Sequence, residues 1–394
     1  MLHNLLSERT GRFIVFVALL ALVSVFYLSC NEKTDTSVES NNQQRETVLG
    51  KDNPGVKEAI IVQEKHTDKL MQNMDVVATA VGLTEKGNVC ILVLALKDLN
   101  SEAKQKGQSP PVPEKLDNIP VRLMVTGEFR AFKDGSSATM KTLSYTAKQN
   151  PPIDLGTSGG WRYDLANGYC CSGTLGSLVT DGSNQYILSN YHVFYADIVS
   201  GGNNIVAQNG DFVIQPGLVD VNCTASKAQN VAALIDPAVG GSLPSGNVDA
   251  GIARVIPGMV DPGGSILGIG TISKNTLTAA LNQKVKKSGR TTGLTRSYIK
   301  GLNAIIRVTY DKECASRKTF TKKYTKQIII DNPSSSFLDA GDSGSLMVED
   351  ISQNPRAVGL LYAGSSTLAV ACSISDVLSF YSGKTGRTFT MVGQ

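Results

Sequence analysis

The sequence predicts a mainly β protein with a small α/β region ahead of it. From Cys171 to Ser373 the chain breaks into short runs rich in β-branched and aromatic residues, punctuated by Gly, Asn, Asp, Ser and Pro, with few long helical stretches. Residues 55–135 combine one helical pattern with three β-rich runs, as in a small α/β domain. The N-terminus reads as an export segment. Five segments follow: an export segment over 1–30, a flexible linker over 31–54, the α/β domain over 55–135, a linker over 136–164 and the β-rich domain over 165–394.

Residues 1–12 are polar with Arg9 and Arg12, and Phe13 to Leu28 is an unbroken apolar run. Its length of about 16 residues is nearer a signal h-region than a membrane span. The run ends in Tyr27-Leu28-Ser29-Cys30, which resembles a bacterial lipobox, although Tyr27 and Leu28 are larger than the residues usual there. A lipidated Cys30, or an uncleaved anchor, would tether the chain outside the cytoplasm in the bacterial cell envelope. Asn31 to Asp52 is too polar to bury a core and reads as a spacer.

Asn53-Pro54 supplies a cap and a first helical position, followed by Val56, Ala59, Ile60, Leu70 and Met74 at helical spacing; His66 is expected at its surface. Asp75 to Leu83, Asn88 to Lys97 and Ile119 to Phe132 are β-rich, with a Pro-containing loop over Asn100 to Asn118. No catalytic constellation falls within this region, whose expected role is folding, docking or inhibition. The Gly, Ser, Thr and Pro content of Lys133 to Trp161 suggests a linker. Within it, Gly156-Thr157-Ser158-Gly159-Gly160 matches a nucleophile-elbow pattern as text. No helix pattern follows it, however, and that fold needs a histidine late in the chain.

The β-rich part supplies runs at Gly173 to Thr180, Gln185 to Asn190, Asp211 to Gln215, Ala250 to Val255, Ile266 to Thr271, Lys284 to Lys287, Tyr298 to Tyr310, Lys326 to Asp331, Ser345 to Val348, Ala357 to Ala363 and Thr367 to Ser373. Ser375 to Tyr381 reads as a short closing helix. So many short strands indicate barrels or sandwiches.

Composition narrows the function. A length of 394 residues and 41% apolar content fit two or three folded domains. A net charge of +4 is too small to indicate a nucleic-acid partner. Lys284 to Lys326 is locally basic, expected as outward strand and loop positions. Apart from Cys30, six cysteines remain, an even set compatible with disulfides that spacing cannot assign; Cys90, inside an apolar run, reads equally as a buried thiol. With no Cys-x-x-Cys pair and three histidines, neither a metal site nor a cofactor is expected.

The chemistry centres on Gly341-Asp342-Ser343-Gly344-Ser345, where two glycines bracket a turn that presents a hydroxyl and lets backbone N–H groups approach a reacting oxygen. Ser343 is the candidate nucleophile. It needs an imidazole base and a carboxylate to orient that base. His3 falls in the export segment and His66 in the α/β domain, so His192, directly after the apolar run Tyr186 to Leu188, is the candidate base. Asp249 opens the apolar run Ala250 to Val255 and is the candidate orienting acid; Asp181, Asp197, Asp220 and Asp236 read as solvated turn residues. Because the base must be neutral, activity is expected to fall on the acid side.

The segments Leu188 to Val193, Val248 to Ala253 and Gly341 to Ser345 resemble the His, Asp and Ser motifs of bacterial trypsin-like serine proteases of the chymotrypsin clan, in that clan's order. The His motif is closer to HtrA-type members, since no cysteine follows His192. Cys171 to Gly176 and Ser288 to Gly293 are similar to the openings of that fold's first and second barrels. The resemblance covers roughly residues 165 to 380 and implies a chymotrypsin-like double β-barrel with its cleft between the barrels. It further implies an oxyanion hole from the N–H groups of Gly341 and Ser343, and an acyl-enzyme mechanism on a polypeptide substrate.

The sequence departs from the family in places. No activation sequence precedes the first barrel, so the partner of Asp342 is open. Phe337 stands at the base of the implied specificity pocket and argues against a Lys or Arg preference. The wall strand containing Tyr362, Ala363 and Gly364 is expected to pair with an extended substrate, with a small or aliphatic side chain before the cleaved bond. About 20 residues follow Ser373, too few for the PDZ domain of HtrA-type enzymes. The expected function is a membrane-tethered serine endopeptidase, with a catalytically silent protease-fold binding or scaffold lipoprotein as the alternative.

Overall fold

The computed structural model describes residues 47–131, 143–195, 203–241, 243, 246–316 and 318–394. The apolar run Phe13 to Leu28 and the lipidation candidate Cys30 lie outside them. Among the described residues no helix is long and apolar enough to cross a membrane.

The first helix, Pro54–Leu70, starts where the sequence places it: Asn53 Oδ1 accepts from the N–H groups of Gly55 and Val56, and Pro54 occupies the first turn. Val56, Ala59 and Val62 form its buried face. The helix ends at Leu70, leaving Met74 70% exposed rather than on that face. Strands β1 (Val76–Leu83), β2 (Val89–Ala95), β3 (Lys115–Leu116), β4 (Ile119–Val125) and β5 (Arg130–Ala131) follow. A helix at Leu99–Gln105, capped by Asp98, occupies part of the expected loop.

Next come β6 (Thr157–Trp161), the small pair β7 (Leu165–Ala166) and β8 (Tyr169–Cys170), then β9 (Gly173–Leu175), β10 (Ser177–Thr180) and β11 (Gln185–Ser189). Three more strands are β12 (Phe212–Gln215), β13 (Gln229–Leu234) and β14 (Gly251–Val255). The second half supplies β15 (Lys284–Gly289), β16 (Gly293–Asp311), β17 (Thr319–Asp331), β18 (Leu346–Glu349), β19 (Ala357–Gly364) and β20 (Leu368–Ser373). Helix Ile374–Thr385 and β21 (Thr390–Met391) close the chain. Among the described residues these strands form sheets of eleven, eight and two strands, the mainly β architecture that the short apolar runs imply.

The eight-stranded sheet runs β21-β10-β11-β14-β13-β12-β6-β9. Strand β6 comes from the stretch read as linker; its Gly and Ser residues conceal a strand buried along its whole length. Thr157 to Gly160 thus lie in a strand, with Gly156 a bend just before it, and no elbow forms. The expected strand over 266–271 does not form, because Gly268 and Gly270 take positive φ and turn the chain there. In the eleven-stranded sheet, β15-β18-β19-β20-β17-β16 closes on itself through the β15–β16 pairing, a barrel without open edges.

Strand β16 is longer than that barrel needs, and β1 pairs along its projecting edge, Ala78 opposite Ile306 and Gly82 opposite Gly301. Strands β1 to β5 of the α/β region therefore share a sheet with the second barrel, and Glu46–Gln394 make one compact unit. An exposed strand edge seeks a partner, and here residues 76–83 supply it. The core is a set of apolar runs buried on both faces: every residue of β19 is buried, and each fully buried Leu or Ile contributes about 1.5–3 kcal/mol.

Two disulfides join Cys170 to Cys223 and Cys171 to Cys314. Cys90 and Cys372 are buried free thiols, and burial raises Cys90 to about 11, with Arg122 opposing.

Candidate active site

Strand register assembles the first half of the site. Strands β11 and β14 are antiparallel with Ser189 opposite Gly251, so the residues just after β11 and just before β14 meet at one end of the sheet. His192 sits on the short helix Tyr191–Phe194 that follows β11, and Asp249 lies two residues before β14. Asn190 fixes the junction, its Nδ2 donating to the Asp249 carbonyl at 2.7 Å.

The carboxylate and imidazole meet directly. His192 Nδ1 lies 2.6 Å from Asp249 Oδ2, and the His192 backbone N–H donates to Oδ1 at 3.3 Å. Asp249 is fully buried and His192 is 5% exposed. A buried carboxylate accepts a hydrogen bond from the N–H of the nearer ring nitrogen, which keeps the proton on Nδ1 and leaves Nε2 as the acceptor. Among the described residues Nε2 has no hydrogen-bond partner.

Two groups that sequence reasoning missed contact Asp249, Tyr310 and Cys372, with Tyr324 behind Tyr310. Tyr310 Oη donates to Asp249 Oδ2 at 2.9 Å and shares a 2.7 Å hydrogen bond with Tyr324 Oη. Burial first, and then the negative Asp249, push the Tyr310 phenol well above its ordinary value, so it remains a donor. From below, the Asp249 N–H donates to Cys372 Sγ at 3.3 Å, and burial raises that thiol strongly. The tyrosines lie on β16 and β17, far from Asp249 in sequence, and an aromatic in a strand reads first as core.

Ser343 enters from the second barrel. Its turn is held by Gly341 and Gly344, with φ of 91° and 95°. A side chain at Gly344 would strike Ser189 Oγ and the Thr174 carbonyl. This close approach docks the turn on the first sheet: the Thr174 N–H donates to the Ser343 carbonyl at 2.9 Å, and Thr174 Oγ1 donates to the Gly341 carbonyl at 2.9 Å. Ser189 Oγ, three residues before His192, donates to the Thr174 carbonyl at 2.7 Å. Beside Gly173 lie both the Val193 side chain and the Ser343 carbonyl. His192 and Ser343 thus flank one seam between the two sheets. Ser343 Oγ also reaches the Tyr362 carbonyl at 3.4 Å.

Asp342, beside Ser343, is fully buried. Its Oδ1 accepts from the N–H groups of Thr291 (2.8 Å) and Thr292 (3.1 Å), and its Oδ2 from Thr292 Oγ1 (2.6 Å) and the Asp339 N–H (3.1 Å). The charge partner is Lys287, whose Nζ lies 3.1 Å from Oδ2 and also bonds Thr292 Oγ1 and the Gly293 carbonyl. Burial pulls the Lys287 ammonium below its ordinary value while Asp342 pushes back. The partner left open by the sequence is therefore an internal lysine. A signal for it existed: strand alternation puts Lys287 on the face of fully buried Val285.

Several expectations for charged residues are corrected by packing. Lys286 and Lys287 are buried, Lys300 pairs with Asp331, and Lys322 donates to the Gly246 carbonyl and sits over the Tyr324 ring, so the basic stretch is not uniformly outward. Asp220 is no solvated turn residue: Arg290 holds both its oxygens at 2.7 and 2.8 Å, and Ser158 Oγ donates to it. Asp181 is likewise buried against Arg387.

Of the expected substrate-contacting residues, Phe337 is 1% exposed, packed in the core. Its carbonyl accepts from Thr295 Oγ1 at 2.8 Å and its N–H donates to Asn332 Oδ1. Tyr362 and Ala363 are also buried, and Gly364 pairs with Arg130 of β5.

No family model matches the chain, and no match was found among curated proteins. Solved structures similar to it are bacterial chymotrypsin-like serine proteases. A glutamic acid specific serine protease matches with 19% identity and a TM-score of 0.39, over 61% of this chain and 100% of that one. Protease A of Thermobifida fusca matches with 17% identity and a TM-score of 0.39, over 61% and 99%. The Cellulomonas bogoriensis chymotrypsin matches with 16% identity and a TM-score of 0.36, over 61% and 99%.

Proposed function

We infer that the chain is a serine endopeptidase with His192, Asp249 and Ser343 as its triad. The observation that carries this reading is the buried 2.6 Å contact between His192 Nδ1 and Asp249 Oδ2, on the same seam where the Ser343 turn is docked. Asp249 holds the imidazole in one tautomer and steadies the imidazolium that forms. His192 Nε2 takes the Ser343 proton as Oγ attacks a peptide carbonyl, then delivers that proton to the leaving amine. Water, activated by the same nitrogen, hydrolyses the acyl-enzyme. The N–H groups of Gly341 and Ser343 are the proposed donors to the oxyanion.

The substrate is polypeptide, and the site is proposed to work outside the cytoplasm, tethered through Cys30 or its apolar run. Two disulfides support an oxidising compartment. Replacement Cys30→Ser should release a lipid-anchored chain from the membrane fraction.

A fluorophosphonate probe tests the chemistry. The wild-type chain should be labelled, and Ser343→Ala and His192→Ala should not. A wild-type protein that stays unlabelled while Ser343→Ala matches it in stability would leave a protease-shaped binding protein as the reading.

A further inference from the structure

We propose that the segment 128–131 lies in the groove the peptide substrate must enter, as a strand of the protein's own that substrate has to displace; this rests on the endopeptidase reading above. Strand β19 forms the wall beside the nucleophile, since the Tyr362 carbonyl contacts Ser343 Oγ. Two residues further along, Gly364 pairs antiparallel with Arg130. The other edge of β5 pairs parallel with β16, Arg130 opposite Thr309 and Ala131 opposite Tyr310, and the Thr309 N–H donates to the Phe129 carbonyl at 2.9 Å. The segment is thus an extended chain held on both edges, along the side of β19 next to Ser343.

Its side chains alternate as a bound strand's would. Phe129 is fully buried and Ala131 is 7% exposed, both in the main core, while Glu128 is exposed and Arg130 half-buried. On the outer face the Arg130 guanidinium bridges Glu128 (3.1 Å) and Asp311 (2.8 Å), and Thr309 Oγ1 donates to Glu128 at 2.6 Å. A strand edge has one set of N–H and C=O groups per residue, so a peptide adding to β19 at Gly364 and Arg130 of this chain exclude each other. The groove that Phe129 fills is shaped for an extended peptide with a bulky apolar residue, any residue opposite Gly364, and a small residue after it. The apparent affinity for such a peptide is lowered by the fraction of molecules in which 128–131 is in place.

Two readouts on the full chain separate this proposal from the chemistry beneath it. A small fluorophosphonate reads Ser343 without using the β19 edge. A fluorescent peptide containing Glu-Phe-Arg-Ala reads the groove, by anisotropy in a Ser343→Ala background and by turnover otherwise. Phe129→Ala, and separately Glu128→Ala with Arg130→Ala, should tighten peptide binding and lower KM by about tenfold or more, with the fluorophosphonate rate unchanged. The double variant changes only the outer face and serves if Phe129→Ala does not fold. Unchanged peptide affinity in folded variants would overturn the proposal. Tighter peptide binding without any fluorophosphonate labelling would keep the strand's role and remove the peptidase reading instead.

Discussion

Lys287 Nζ lies 3.1 Å from Asp342 Oδ2, and neither side chain has any exposure to solvent. Asp342 precedes Ser343, the proposed nucleophile, so this ion pair and the Thr291 and Thr292 donors fix the backbone that carries it. Burying two charges is costly and is offset by their mutual attraction and by full hydrogen bonding. Breaking only one partner leaves the other charge buried alone.

Lys287→Met is therefore expected to destabilise the fold by about 3–5 kcal/mol and to abolish fluorophosphonate labelling. The double variant Lys287→Met with Asp342→Asn should recover a large part of the stability. Urea unfolding of the single and double variants checks this, and equal losses in both would mean the pair is not coupled.

Asp249→Asn should leave the fold intact but reduce kcat by on the order of 10⁴. An amide NH₂ facing Nδ1 favours the ring tautomer whose proton sits on Nε2, the wrong nitrogen for a base. Steady-state kinetics on a peptide substrate reads the loss, and retention of more than a tenth of the activity would exclude Asp249 from the triad.

Tyr310 donates to Asp249, the proposed orienting carboxylate, and would act through it. Tyr310→Phe removes one hydrogen bond to a charged acceptor, worth about 1.5–3 kcal/mol, and should lower kcat by about ten- to a hundredfold with KM unchanged. The ring and its stacking on Phe320 remain. A change confined to KM would place Tyr310 in substrate binding instead.

Asp181 gives the fold an acid limit. Burial raises its carboxyl, but the N–H groups of Asn184 and Ser183 and the Arg387 guanidinium pull it well below the usual carboxylate range. A depressed folded-state pKa contributes stability above the unfolded value of about 3.9, and that contribution is lost as pH falls through the lower folded value. The stability difference between wild type and Asp181→Asn should be full above about pH 5 and shrink below about pH 4. Denaturant midpoints across that range test the sign, and a constant difference would refute it.

The amino-acid sequence by itself determined the strands that build the site and the residues proposed to act there. Three histidines, one of them at the end of an apolar strand, left His192 as the proposed base. The glycines around Ser343 announced a turn that no side chain could allow, and the small residues after Asp249 announced a buried carboxylate. Those signals are local, written within a few positions of each other. Only the tertiary structure decided the partners. Lys287 and Asp342 are 55 positions apart and Tyr310 and Asp249 are 61 apart, and Arg130 meets Gly364 across most of the chain. Each depends on strand register and barrel closure, which short-range patterning does not encode. The same physics misled the reading of β6, whose glycines and serines look like a linker until neighbouring strands bury them. For Lys287 the decisive term was the carboxylate waiting in the interior, without which a lysine in a basic run belongs in water.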